Sequence, residues 1–222
     1  MDELLSIFTI IGIDLILGGD NAIIIALACR NLPLHIRNKA IIIGTFLAIL
    51  IRILLTIFTV YLLKVPFIQV LGGLLLLYIA FSFIIDKKGN ENKINSPYTL
   101  MKAVQTIVLA DLFMGLDNVV AVAGAAKGNT LLVAFGLSLS IPIIVWGSKI
   151  LLSLMNRFPL ILYIGGAILA FTAGEMIIQD ESIAFLLHES PQMVSALPFI
   201  LMFSITITAV IYSSITSKIT KS

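Results

Sequence analysis

Along this chain, long apolar runs alternate with short polar breaks. The runs are roughly 20 residues or longer, which is the length that carries an α-helix across a bilayer. They predict seven helices, over Leu4–Cys29, Lys39–Leu62, Pro66–Ile85, Leu100–Ala126, Leu131–Met155, Leu160–Ile178 and Val194–Ile215. Turn and cap residues fill the breaks: Asn31-Leu32-Pro33, Lys64-Val65-Pro66, Lys127-Gly128-Asn129, Asn156-Arg157-Phe158-Pro159 and Ser190-Pro191. The polar stretch from Asp86 to Pro97 is longer and rich in Lys, Asn and Gly, and it divides the chain into two comparable parts.

Composition turns this pattern into a statement about solvent. Of 222 residues, 59% are apolar and 12% charged, and the mean hydropathy is +1.12. A soluble domain carries roughly 45–50% apolar and about 25% charged residues. So much apolar surface cannot be hidden in a domain of this length, and the bilayer must be the solvent. A cytosolic enzyme, a nucleic-acid binder and a disordered chain are excluded. A single cysteine, Cys29, excludes a disulfide framework, a zinc finger or a thiolate cluster. The first apolar run is longer than a signal h-region and contains Asp14 and Asp20, so it reads as a retained span. The expected fold is all-α: a polytopic membrane protein of seven transmembrane helices in a single transmembrane domain, 1–222.

Charge sets the expected orientation. One side of the membrane receives Arg30, Arg37, Lys39, Lys87, Lys88, Lys93, Lys102, Arg157, Lys218 and Lys221. The other receives only Lys64 and Lys127, with Asp2, Glu3, Asp180, Glu181 and Glu189. By the positive-inside rule the N-terminus lies outside the cell membrane, and the C-terminus and the 86–97 linker lie in the cytoplasm.

The two parts repeat. Asp14-Leu15-Ile16-Leu17-Gly18-Gly19-Asp20-Asn21 recurs as Asp111-Leu112-Phe113-Met114-Gly115-Leu116-Asp117-Asn118, 97 residues on. The register continues, with Ile51-Arg52-Ile53 on Ser148-Lys149-Ile150. After a slip of four residues, Pro66 falls on Pro159 and Gly72-Gly73 on Gly165-Gly166. Repeat one spans 4–85 and repeat two 98–178; the seventh helix, 194–215, has no counterpart. Three spans is an odd number, so the second repeat enters from the opposite side. Inverted repeats place substrate sites near the midplane, at broken helices.

The repeated motif carries the chemistry. A carboxylate at mid-bilayer costs about 2.5–3.5 kcal/mol on insertion scales. Asp14, Asp20, Asp111 and Asp117 therefore persist only if protonated, paired or bound to a cation. Positions six apart on a helix differ by about 240° of turn, so an unbroken helix would aim the two acids of each copy at different faces. Gly18, Gly19 and Gly115 are the candidate points of helix interruption. With Asn21 and Asn118 as further oxygen donors, the set suits Mn²⁺, Mg²⁺ or Ca²⁺; no soft ligand lies at mid-membrane. Carboxylates that lose a cation can take up protons, which makes proton antiport chemically available.

The paired D-L-x-x-G-G-D-N-A and D-L-x-x-G-x-D-N-V motifs resemble the TerC family of integral membrane proteins, in its short, single-domain bacterial branch. The resemblance covers nearly the whole chain. It implies export of a divalent metal ion, chiefly Mn²⁺, with the motif acids as ligands, within a wider group of LysE-like exporters. It also implies links to tellurite resistance and to metal supply for exported enzymes. Leu116 stands where the first copy has Gly19, so the two half-sites need not be equivalent.

Other residues carry two readings each. Asn21 and Asn118 are ligands or interhelical hydrogen-bonding groups. Arg52 and Lys149 pair with the aspartates when metal leaves, or snorkel to an interface. Glu175 lines an exit path or simply sits at an exposed helix end. Asp180, Glu181 and Glu189 draw cations to an outer mouth or belong to a solvated loop. The Gly-Gly pairs allow close helix packing. Two alternatives stand beside the alternating-access carrier: a membrane-embedded metal-binding partner that supplies metal to exported proteins, and a channel. No nucleophile–base pair or HExxH appears at mid-membrane, so no enzyme is expected. No prosthetic group is expected either; Mn²⁺ or another divalent cation is substrate. The expected partners are that ion, the lipid bilayer, secretory machinery or exported metalloenzymes, and a second copy of the chain as a homodimer; nucleic acid is not among them.

Overall fold

The computed structural model describes residues 2–62, 65–85, 99–126, 129–180, 182–183 and 191–219. The 86–97 linker, Lys64, Lys127, Glu181 and Glu189 lie outside the described residues. In chain order the helices are α1 (Asp2–Leu17), α2 (Gly19–Cys29), α3 (Leu34–Leu62), α4 (Ile68–Ile85), α5 (Leu100–Ala125), α6 (Thr130–Arg157), α7 (Leu160–Gln179) and α8 (Pro191–Ile219). No strand occurs among the described residues. Five of these helices contain a stretch long and apolar enough to cross a membrane alone, and two bent pairs bring the total to seven. The first bent pair is α1 with α2, at 51°; the second lies within α5, at 65° about Asp117.

Local chemistry explains the ends. Helix α3 begins at Leu34, five residues before the predicted Lys39. Pro33 has the φ of a helical first turn, and its carbonyl accepts from the N–H groups of Ile36 and Arg37 at 3.1 and 3.0 Å. The polar first turn, with His35, Arg37 and Asn38, hid this start from a hydropathy pattern. Arg37 Nη2 donates to the carbonyls of Arg30 and Leu32 at 2.8 and 3.0 Å, satisfying acceptors that the end of α2 leaves open. Thr99 caps α5, its hydroxyl accepting from the Lys102 N–H at 3.3 Å.

The chain forms two compact units. One comprises Met1–Val65 and Tyr98–Ser153, the other Pro66–Pro97 and Leu154–Ser222. The division runs through each repeat: its first two spans fall in one unit and its third in the other.

In the first unit α5 packs against α1, α2 and α3. Its core joins Ile10, Ile49, Val122, Val133 and Leu137. Helix α6 meets α1 at Gly136, where a Cβ would lie 2.5 Å from Ile10 Cγ2.

In the second unit the repeat-related helices α4 and α7 pack on each other, and α8 on both. A Cβ on Gly73 would lie 2.7 Å from the Ala173 carbonyl oxygen, and one on Gly166 would lie 2.6 Å from Ile84. Gly73 and Gly166, one from each Gly-Gly pair, let the helices approach, which is how van der Waals packing holds helices together in lipid. Asp180 is a correction to the sequence reading. It is 3% exposed, and its carboxylate accepts from the N–H groups of Gln69 and Val70 at 3.2 and 3.4 Å. It therefore caps the start of α4 and is not a solvated loop acid.

Candidate ion-binding site

Four helices of the first unit each bring one polar side chain to a common point. Asp14 on α1 and Asp111 on α5, the first acids of the two motif copies, flank Arg52 from α3. Arg52 Nη1 donates to Asp14 Oδ1, and Nη2 donates to Asp111 Oδ1. Ser140 on α6 donates its hydroxyl proton to Asp14 Oδ2. The Ser140 oxygen also lies 2.8 Å from the Leu137 carbonyl; with a single proton to give, it favours the charged carboxylate. All four residues are buried, Asp14 completely and Arg52 to 2% exposure.

The break at Gly18 sets the approach of the second acid. Gly18 N–H donates to the Asp14 carbonyl at 2.8 Å, and its own carbonyl accepts from Asn21 N–H at 3.0 Å. A Cβ on Gly18 would lie 2.4 Å from the Asp14 carbonyl oxygen and 2.8 Å from Asn21 Nδ2. Only a glycine fits there. Gly19 has open space around it, so the interruption belongs to Gly18 alone. Asp20, half-buried in the first turn of α2, feels the charges of Arg52 and Asp111.

In the second copy the bend falls at Asp117, not at Gly115. Gly115 serves a different purpose: a Cβ there would lie 3.3 Å from Arg52 Nε, so its absence lets the arginine lie against α5. The Asp117 side chain lies outside the described residues. Asn118 is buried on α5.

Beside the ion pairs is a narrow cavity with room for about one water. Asn21, Thr45, Arg52 and Asp111 line it, among Ile and Ala side chains. Neither polar atom of the Asn21 amide, nor the Thr45 hydroxyl, nor Arg52 Nε has a hydrogen-bond partner. Among the described residues no three His, Cys, Asp or Glu side chains form a metal-binding group. Between the two deepest acids stands the Arg52 guanidinium.

The two cations at equivalent repeat positions part company. Arg52 is buried in the ion pairs, whereas Lys149 is exposed on α6; the structure does not bring Lys149 to the aspartates. Glu175 is half-buried on α7 and belongs to the second unit. Sequence reasoning missed Ser140 and Thr45. Each is a hydroxyl in an otherwise apolar mid-span stretch, and that was the available signal.

Several apolar spans, two broken helices and a buried cluster of opposite charges define a polytopic membrane protein with a polar site inside its helical body. The chain belongs to the TerC family of integral membrane proteins, which matches it over residues 1–221. It is 45% identical to the membrane protein YjbE of Bacillus subtilis over 214 residues, covering 96% of this chain and 98% of that protein. It is 28% identical to YkoY of the same organism over 124 residues, 54% of this chain and 38% of that one. It is 27% identical to the UPF0053 protein YegH of Escherichia coli over 175 residues, 70% of this chain and 33% of that one. No solved structure matches the chain.

Proposed function

We propose that this protein exports a divalent metal ion, Mn²⁺ first, from the cytoplasm to the outside of the cell membrane by alternating access to the site around Asp14 and Asp111. Asp14, Asp20, Asp111 and Asp117 supply the charge, and Asn21 and Asn118 supply neutral oxygens. The N-terminus faces outside and the C-terminus the cytoplasm, as the distribution of Lys and Arg favours.

One observation carries this reading. Two carboxylates from equivalent positions of the two repeats meet, buried, on one cationic group. A site that already stabilises a cation between the repeats has the charge and the hard oxygens that a divalent ion needs. Inverted repeats meeting at broken helices are the architecture of carriers with a midplane site.

The test is ⁵⁴Mn²⁺ flux in proteoliposomes holding the wild type or the Asp20→Asn/Asp117→Asn double variant, with and without a pH gradient. Wild-type flux that the double variant abolishes supports the reading, and the pH-gradient arm reports proton coupling. Mn²⁺ binding without flux would replace the carrier by a membrane-embedded partner that hands metal to exported proteins. Flux unchanged by the substitutions would remove these acids from the mechanism.

A further inference from the structure

A carrier must return empty as well as travel loaded. The empty state is the electrostatic difficulty here, because it leaves buried acids without their cation. Asp14 and Asp111 are 0% and 8% exposed, and buried unpaired charges are strongly destabilising. Arg52 resolves this in the structure, since its guanidinium reaches across to both acids at once. The acids facing it come from three helices: Asp14 from α1, Asp20 from α2 and Asp111 from α5. Lys149, its repeat counterpart, is exposed and takes no part.

We infer that Arg52 is a built-in stand-in for the transported ion: it neutralises Asp14 and Asp111 while the carrier is empty, and the divalent ion loads by displacing it along α3 toward Thr45. This rests on the divalent-ion reading above and deepens it. The carboxylate oxygens that hold the guanidinium are the ones a metal would take, so the two cations compete for one place.

The cavity marks the direction in which the group can turn; it holds about one water, so the surrounding side chains must give way as the guanidinium moves. Arg52 lines the cavity, and its Nε has no partner there. Thr45 presents an unpartnered hydroxyl oxygen in the same wall, an acceptor that a guanidinium can use. Thr45 precedes Arg52 by seven residues, about two helical turns, and so lies on the same face of α3. Helical side chains lean toward the N-terminus, so a rotation of the arginine along its own helix points it at Thr45. Gly115 leaves α5 without a side chain beside this arginine. A lysine would keep the charge but not the fork that reaches two carboxylates together.

The proposal separates two fluxes that a carrier otherwise performs together. Exchange of Mn²⁺ for Mn²⁺ never requires the empty carrier to reorient, whereas net efflux does so in every cycle. Without Arg52, Mn²⁺ should bind more tightly, because no resident cation competes, and the empty site should be unable to return.

The experiment uses the full chain, purified and reconstituted. Mn²⁺ affinity is measured by titration calorimetry, and ⁵⁴Mn²⁺ is followed both as exchange, with Mn²⁺ on both sides, and as net efflux. In Arg52→Gln, affinity should rise about tenfold to a hundredfold as the cost of displacing a favoured resident state disappears. Net efflux should be lost while exchange continues. Arg52→Lys should fall between wild type and Arg52→Gln in affinity and regain part of the net efflux. Affinity in Arg52→Gln at or below wild type, or net efflux that tracks exchange, would overturn the proposal.

Should Arg52→Gln not be recovered as a monodisperse protein, Arg52→Lys and the wild type still decide it. Arg52→Lys must bind Mn²⁺ more tightly than wild type. Wild-type net efflux must run with equal pH on both sides and no permeant counter-cation beyond what balances the membrane potential. Weaker binding by Arg52→Lys, or a strict requirement for an opposing proton gradient, would sink the idea. Failure of the underlying reading looks different: the wild type itself would neither bind nor carry Mn²⁺.

Discussion

Asp180 at the end of α7 holds the N–H of Gln69 at the start of α4, 3.2 Å away and 111 positions earlier in the chain. The two helices are repeat counterparts, and this carboxylate ties the end of one to the start of the other. It also accepts from Val70 N–H at 3.4 Å and from Ser182 N–H at 3.0 Å. Loss of such a cap costs about 0.5–2 kcal/mol. Asp180→Ala should therefore lower thermal stability in detergent, and Asp180→Asn should lower it less. Mn²⁺ affinity should be unchanged in both. A scanning melt read by intrinsic fluorescence checks the first point, and a drop in affinity at equal stability would contradict the second.

The glycines of α4 and α7 rank by what stands opposite. A Cβ on Gly73 meets the Ala173 backbone oxygen at 2.7 Å, while one on Gly166 meets the side chain of Ile84 at 2.6 Å. A side chain can rotate away, whereas a helix backbone has to move. Overpacking costs about 1–3 kcal/mol, so Gly73→Ala should sit at the upper end and Gly166→Ala at the lower. Melting of the two single variants in the same detergent orders them.

Gly18 and Gly19 are adjacent but not equivalent. Ala at 18 would clash with the Asp14 carbonyl and the Asn21 amide; Ala at 19 meets nothing within 4 Å. Gly18→Ala should lose about 1–3 kcal/mol of stability and weaken Mn²⁺ binding, because it moves the turn that carries Asp20 and Asn21. Gly19→Ala should match wild type in both. Equal damage from the two would refute the placement of the break.

Ser140 and Ser138 provide a matched pair on α6. Ser140 is fully buried against Asp14, and Ser138 is exposed. A hydrogen bond to a charged group contributes about 1.5–3 kcal/mol. Ser140→Ala should show a loss of that size in chemical unfolding, and Ser138→Ala should be close to neutral.

Lys149 tests whether repeat symmetry extends to function. It is exposed, and exposed substitutions usually fall within about 0.5 kcal/mol. Lys149→Gln should change Mn²⁺ affinity by no more than about twofold. A large change would mean that Lys149 reaches the acids in another conformation.

Much of this was legible in the chain itself. Hydropathy alone located the spans, because lipid imposes a length and an apolar surface on every crossing helix. The repeat located Asp14 and Asp111, because buried carboxylates are costly enough that a matched pair marks a shared place. Residues whose role depends on a neighbour's position were less legible. Asp180 looked like a loop acid because its partners, Gln69 and Val70, come from the other repeat. Gly115 looked like a second Gly18 because the alignment sets it on Gly18, yet it meets Arg52.

The order of amino acids was enough to give a bilayer-embedded helical chain with two copies of one acidic motif. Spacing and hydropathy are one-dimensional quantities, and they suffice for that. Tertiary structure alone decided that Arg52, not Lys149, stands between the acids, that Ser140 supports Asp14, and that each repeat gives its third span to a different unit from its first two. Those outcomes depend on which helix faces which. The identical register position that carries Arg52 on α3 and Lys149 on α6 points one cation at the acids and leaves the other exposed. Only the packing of α3 along α5, with Gly115 making room for the guanidinium, distinguishes them.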